Sequence, residues 1–310
     1  MKIALFFPGQ GSQKPGMGEE FYNENADFKD MFDSCDANTD IDLKKSCFEG
    51  EGLESTAVTQ PALYAVNIAT YKMLEAMGIK GDVFAGLSLG EYDALAAAGV
   101  MDAAQTTALV SRRGKLMESA VPEGVASMTA VIGITAQEIE RAIEGIDDVW
   151  VANMNAPGQT IIGGKLAALD IADEKVKEAG ASVVKRLDVA GPFHTPLLAQ
   201  AGEKLMDELQ KHEILATHKT VYANVTGAPY GKDDDIRGIL SEQVSNRVRW
   251  SQIMEDVINT CDMIIECGPG NVLSKMAKRQ AKDMGKDADV QIFKASSAKD
   301  IEAIKEAVLG

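Results

Sequence analysis

A chain of 310 residues can hold one large domain, or a large and a small one, around a sizeable core, so its stability does not call for a disulfide framework. Hydrophobic residues make up 45% and charged residues 25%, which excludes a disordered, collagenous or coiled-coil chain. The net charge of −16 argues against a nucleic-acid backbone or an anionic membrane as the main partner, and any acidic partner must find a local basic patch.

The first element in the chain is Ile3-Ala4-Leu5-Phe6-Phe7, an apolar run ended by Pro8-Gly9. It is too short for a signal-peptide core and suits a strand buried on both faces of an α/β sheet. A Gly-Gln-Gly-Ser-Gln loop follows. Apolar spacing predicts a helix from Gln60 to Met77, with Pro61 in its first turn and a stop at Gly78. Asp82 to Gly86 reads as a short strand running into Leu87-Ser88-Leu89-Gly90, and Glu91 to Ala98 as a helix.

From about Gly124 to Asp188 the grain changes. Ser127 to Ile134 reads as a strand, and Thr135 with Glu138 as a capping box opening a helix to Glu144. Strands at Val149 to Asn153 and Thr160 to Gly163 follow, then a helix from Leu166 to Ala179 and a strand from Ser182 to Leu187. This βαββαβ order is that of a ferredoxin-like subdomain. The expected organisation is a large α/β domain over 1–123 and 191–310, interrupted by a small subdomain over 124–190. Beyond it come helices at Leu197 to Leu209, Ile236 to Val244 and Ser251 to Asn259, a strand near Val221-Tyr222, and a last clear strand at Met263 to Cys267. The two outer parts are expected to share one sheet.

Cys35, Cys47, Cys261 and Cys267 show no C-x-x-C spacing, so they suggest neither a zinc site nor a redox motif and read as thiols of a reducing compartment. No apolar run approaches the ~18 residues of a membrane span. The expectation is a cytoplasmic protein with no metal or redox cofactor.

Gly86-Leu87-Ser88-Leu89-Gly90 matches the nucleophile elbow G-x-S-x-G, in which glycines allow a strained turn to lift a serine hydroxyl above the sheet. The motif is short, and a chance match is expected roughly once in ten such chains. The flanking strand and helix are the context the elbow requires. A serine nucleophile needs a base, and the chain has three histidines. His212 and His218 lie in polar stretches that read as surface. His194 lies in Gly191-Pro192-Phe193-His194-Thr195-Pro196, a stiff loop able to fix an imidazole's direction. An α/β-hydrolase runs nucleophile, acid, then a late histidine, whereas more than a third of this chain lies beyond His194. No Asp or Glu marks itself as a third member, so a Ser-His dyad on a backbone or amide acceptor and a full triad both stay open. Gly9-Gln10-Gly11 and Gly163-Gly164-Lys165 lack the remaining residues of nucleotide-binding motifs and read as tight turns.

Eight segments together carry a resemblance. They are Gly9-Gln10-Gly11-Ser12-Gln13, Thr59-Gln60-Pro61-Ala62, the elbow with Glu91-Tyr92, Arg113-Gly114-Lys115-Leu116-Met117, Asn155-Ala156-Pro157-Gly158-Gln159, Phe193-His194, Val248-Arg249-Trp250 and Glu266-Cys267-Gly268-Pro269-Gly270. In this order, over almost the whole chain, they resemble the malonyl-CoA:acyl carrier protein transacylases. The resemblance implies an α/β-hydrolase-like core and ping-pong transfer of a malonyl group from malonyl-CoA to acyl carrier protein in fatty acid synthesis. It implies Ser88 as nucleophile and His194 as base and acid, with the N–H groups of Gln10 and Leu89 as oxyanion donors. Arg113 would hold the malonyl carboxylate, a task suited to a planar, bidentate guanidinium. Gln243 would position the histidine through its main-chain carbonyl, Asn155 would lie near the substrate, and Phe193 would favour malonyl over methylmalonyl. Position 87, histidine in the family pattern, is leucine here, which bears on acyl choice and rate rather than reaction class.

The rival readings are a serine esterase or thioesterase, which has no use for Arg113, and a non-catalytic relative that binds the carrier. Because the carrier is itself acidic, a local basic docking face is expected, and Lys275, Lys278, Arg279, Lys282 and Lys286 form the densest basic run.

Overall fold

In the computed structural model, which describes residues 1–310, the chain forms nine strands: β1 (Ile3–Phe7), β2 (Val83–Gly86), β3 (Ala126–Ile132), β4 (Val149–Ala156), β5 (Gln159–Lys165), β6 (Val183–Arg186), β7 (Thr220–Val221), β8 (Met263–Cys267) and β9 (Gln291–Ala295). They make two sheets. The larger has the order β7-β2-β1-β8-β9 and every pairing in it is parallel. The two outer parts of the sequence therefore do share one sheet. Its central strand, β1, is buried at all five positions, which is why that segment is uninterruptedly apolar.

The smaller sheet is antiparallel, with the order β4-β5-β3-β6, and all its strands lie within 124–190. The helices Ala136–Ala142 and Leu166–Glu178 cover one face, where Val131, Val151, Ile162, Ile139, Leu169 and Val176 form a separate core. Thr135 and Glu138 make the expected capping box, each side chain serving the other's backbone N–H. Because strand side chains alternate, Met128 and Ile161 project from the other face and join the core of the large part. This is an α/β-hydrolase-like fold carrying a ferredoxin-like subdomain. Val248, from the large part, binds the small sheet: its N–H donates to Ala152 O (2.8 Å), and its carbonyl accepts from Met154 N (2.9 Å).

Three local expectations are corrected. The helix expected from Gln60 runs over Thr56–Ala76, with Pro61 inside it. Its start is capped from a distance, since Glu118 Oε1 accepts from Thr56 N and Ser55 Oγ, both at 2.8 Å. Gly163 and Gly164 are no tight turn but lie within β5. A Cβ at 163 would stand 2.9 Å from Thr195 Cγ2, and one at 164 only 2.2 Å from Asp148 O, so both glycines serve close packing. Met263 to Cys267 is not the last strand, because the partly polar β9 pairs beside it as an edge.

Candidate active site

The site begins at the end of β2. Gly86 and Gly90 let the turn fold back on itself: a Cβ at 86 would lie 1.9 Å from Gly90 C, and one at 90 would lie 2.0 Å from Phe7 O. Between them Ser88 adopts φ 55°, in the left-handed region that a side chain disfavours. Distant residues hold it there. Its N–H donates to Asn224 Oδ1 (2.7 Å), and its carbonyl accepts from Gln243 Nε2 (2.9 Å). Only three non-glycine residues have positive φ, and His194, at 60°, is another. Backbone strain thus coincides with the two residues expected to carry the chemistry.

His194 is anchored by its N–H to Val244 O (3.0 Å), and its Nδ1 lies 2.7 Å from the main-chain carbonyl of Gln243. Facing a carbonyl, Nδ1 carries the ring proton, so Nε2 is the acceptor for the Ser88 hydroxyl 2.8 Å away. No carboxylate touches the imidazole. Of the two arrangements the sequence left open, the geometry is that of a Ser-His pair on a backbone acceptor. His218 is exposed and His212 half-buried, and neither contacts Ser88.

Arg113 is fully buried on the helix Thr106–Glu118, not on a surface. Gly114 makes this possible, since a Cβ there would come 2.8 Å from Thr56 O on the neighbouring helix. The guanidinium donates from Nη1 to Gln60 Oε1 (2.7 Å), and from Nη2 to Gln243 Oε1 (2.8 Å) and Ser88 Oγ (3.0 Å). It lies over the Tyr92 ring at 5.3 Å, and its Nε has no partner. A buried cation that touches the nucleophile suits an anionic group close to Ser88.

Burial, reinforced by the Arg113 charge, pushes the His194 pKa down to about 4, so the imidazole is neutral near pH 7 and free to take a proton. Burial pushes the Glu91 carboxyl up to about 7, against hydrogen bonds from Tyr230, Gln243 and the Asn224 N–H and the charge of Arg113.

Ser88 and His194 open into a cavity of about 180 Å³ between the two sheets. Gln10, Leu89, Asn155 and Phe193 line it, as do Leu87, Met117, Met128 and Ile161. The N–H groups of Gln10 and Leu89 have no acceptor in the protein. Gly9 brings their two loops together, for a Cβ there would stand 2.3 Å from Leu87 O. Two free N–H groups beside the nucleophile, one at the N-terminus of the helix Gly90–Ala97, suit an oxyanion. Asn155 is buried in the cavity wall and its Oδ1 has no partner in the protein. Phe193, also buried, and the half-buried Leu87 form apolar wall.

Six of the eight residues expected at the site line this cavity, and Arg113 and Gln243 lie behind it, hydrogen-bonded to Ser88. Sequence reasoning missed Asn224 and Tyr230 altogether. Gln60 and Glu91 stood inside quoted segments, but no role attached to them.

Comparison with known proteins follows the same line. Residues 5–302 match the acyl transferase domain family. The malonyl CoA-acyl carrier protein transacylase of Bacillus subtilis (strain 168) is 37% identical over 285 residues, covering 90% of each chain. That of Escherichia coli (strain K12) is also 37% identical, covering 90% of this chain and 92% of its own. Among solved structures, the malonyl CoA-acyl carrier protein transacylase from Clostridium perfringens superposes with a TM-score of 0.94 at 36% identity, over 100% of this chain and 98% of that one. A malonyl-transacylase solved in complex with a type II polyketide acyl-carrier protein gives 0.92 at 32% identity, over 99% and 100%. The chain belongs to the acyl transferase family, among the malonyl CoA-acyl carrier protein transacylases.

Proposed function

We infer that this chain transfers a malonyl group from coenzyme A to the phosphopantetheine thiol of acyl carrier protein, in fatty acid synthesis, through a malonyl ester on Ser88. The observation that carries the reading is one oxygen with two partners: Ser88 Oγ lies 2.8 Å from His194 Nε2 and 3.0 Å from Arg113 Nη2. An esterase needs the first contact and has no use for the second.

In the first half-reaction His194 Nε2 takes the hydroxyl proton as Ser88 Oγ attacks the thioester carbonyl. The carbonyl electrons move onto oxygen, which the N–H groups of Gln10 and Leu89 receive. Collapse breaks the C–S bond, and His194 returns the proton to the departing thiolate. In the second half-reaction the carrier thiol gives its proton to His194 and attacks the ester, and Ser88 recovers its hydroxyl. Arg113 holds the free malonyl carboxylate, Gln243 keeps the imidazole in the productive tautomer, and Asn155 and Phe193 bound the acyl and thioester space. Nothing in this sequence of steps calls for a metal or a redox cofactor. Initial rates measured against malonyl-CoA at several fixed carrier concentrations are expected to give parallel double-reciprocal lines; intersecting lines would point to direct transfer in a ternary complex.

The carrier would approach along the helix Val272–Asp283, which packs against β4. Lys275, Lys278, Arg279 and Lys282 are exposed there and form no ion pair. A Cβ on Gly158, in the β4–β5 turn, would stand 3.6 Å from Arg279 Nη2, so the basic face adjoins the strand that carries Asn155 to the cavity. Lys286, half-buried, is spent on Asn259 Oδ1. Reversing the charge of Lys278 and Arg279 together is expected to raise the KM for the carrier ~10-fold or more and leave Ser88 acylation by malonyl-CoA unchanged. Unchanged transfer would remove this face from the account.

No helix is long and apolar enough to cross a membrane. The four cysteines are all unpaired and buried, which fits the reducing cytoplasm we propose as the protein's location.

A further inference from the structure

Gln243 has three tasks at once. Its main-chain carbonyl orients His194, its Nε2 steadies the Ser88 carbonyl, and its Oε1 takes a hydrogen bond from Arg113. The last two depend on which way the amide faces, and a terminal amide torsion is soft and nearly two-fold. Something must break the symmetry.

Glu91 lies in the first turn of the helix after the elbow, completely buried. Its Oε2 accepts from Gln243 Nε2 (2.6 Å) and from the Asn224 N–H (3.1 Å), while Oε1 accepts from the Tyr230 hydroxyl. The Gln243 amide therefore sits between a carboxylate that needs donors and a guanidinium that needs acceptors. Turned over, it would face acceptor to acceptor on one side and donor to donor on the other. Asn224 closes the other branch, because the residue whose N–H meets Glu91 uses its Oδ1 to hold the strained Ser88 N–H, and its Nδ2 to hold Gly86 O (2.8 Å).

We propose that Glu91 is the positioning residue that sets Ser88, His194 and Arg113 relative to one another, by holding the Gln243 amide and the Asn224 main chain on one carboxylate oxygen. The proposal rests on the malonyl-transfer reading. Glu91 touches no reacting atom. Its effect falls hardest on Arg113, since a freed Gln243 amide no longer fixes where the guanidinium points.

The test is the rate of Ser88 acylation by malonyl-CoA and by acetyl-CoA, followed by rapid quench and intact mass, in Glu91→Ala and Glu91→Gln, with folding checked by thermal melting. A misplacement of about 1 Å costs up to ~10²-fold, so Glu91→Ala is expected to slow malonyl acylation by about that factor. Acetyl, which has no carboxylate for Arg113, is expected to lose at least several-fold less. Glu91→Gln keeps an oxygen for both N–H groups and is expected to stay within ~10-fold of the parent for malonyl, the scale of a single neutral hydrogen bond. Equal losses for the two donors in Glu91→Ala, or a Gln variant as slow as the Ala variant, overturn the proposal. If Glu91→Ala does not fold, Glu91→Met fills the space without offering the acceptor and is read in the same way. The parent adduct reports on the activity and the variant-to-parent ratios report on Glu91, so the two readings fail separately.

Discussion

Replacing His194 with alanine is expected to slow formation of the malonyl-Ser88 ester by ~10²–10⁴-fold, the range for losing a positioned general base, with little change in the malonyl-CoA concentration that half-saturates the rate. The reason is geometric, for Nε2 is the one base within reach of the hydroxyl proton, at 2.8 Å. The same geometry sets the pH profile. Burial and Arg113 hold the imidazolium pKa at about 4, so the base is fully available at neutral pH, and the acid limb of acylation in the parent should centre there rather than near the ordinary histidine value of about 6.5. Rapid-quench acylation rates across pH, started by a brief pH jump, check both points. A limb near the ordinary value would mean that the imidazole is more solvated than its burial implies.

Arg113→Ala carries the second large effect, and its signature is selectivity. A charge-assisted hydrogen bond to a carboxylate contributes about 1.5–3 kcal/mol, so malonyl acylation should fall by roughly 10–150-fold. Acetyl acylation should fall less, because acetyl has no carboxylate for the guanidinium and loses only what Arg113 does through Ser88, Gln60 and Gln243. One further consequence follows from charge. Arg113 is a cause of the low His194 pKa, and without it the imidazolium is easier to form, so the acid limb should move to higher pH. Equal loss for the two acyl groups would contradict the carboxylate role. Arg113→Lys should fall between, since it keeps the charge and loses the fork that reaches Gln60 and Gln243 together.

The parts of this account that were legible in the sequence are those whose cause is local. The elbow shows because its glycines, strand and helix are contiguous, and the small sheet shows because its strand and helix periods alternate within one segment. His194 stood out among three histidines because two prolines, Pro192 and Pro196, stiffen its own loop. What stayed hidden is held across distance. Ser88 is fixed by Asn224, 136 residues away, and Gln243, 155 residues away, and no local pattern marks either pair. The start of the helix Thr56–Ala76 depends on Glu118, and a proline in what looked like a first turn pointed to the wrong boundary. Arg113 and Arg112 are neighbours of one type. Only the resemblance singled out the first, and the structure gives the physical difference, for Arg113 is buried against glutamine partners and Arg112 is exposed. The edge strand β9 was missed because its polar residues blur the apolar run.

The central claim is that Ser88 carries the malonyl group between the two thiols. Intact-protein mass spectrometry after brief incubation with malonyl-CoA, beside a Ser88→Ala control, tests it most directly. The account predicts a single malonyl adduct on the parent chain, absent from the control and discharged when acyl carrier protein is added. An equal adduct on Ser88→Ala, or no adduct on the parent at any quench time, would contradict it.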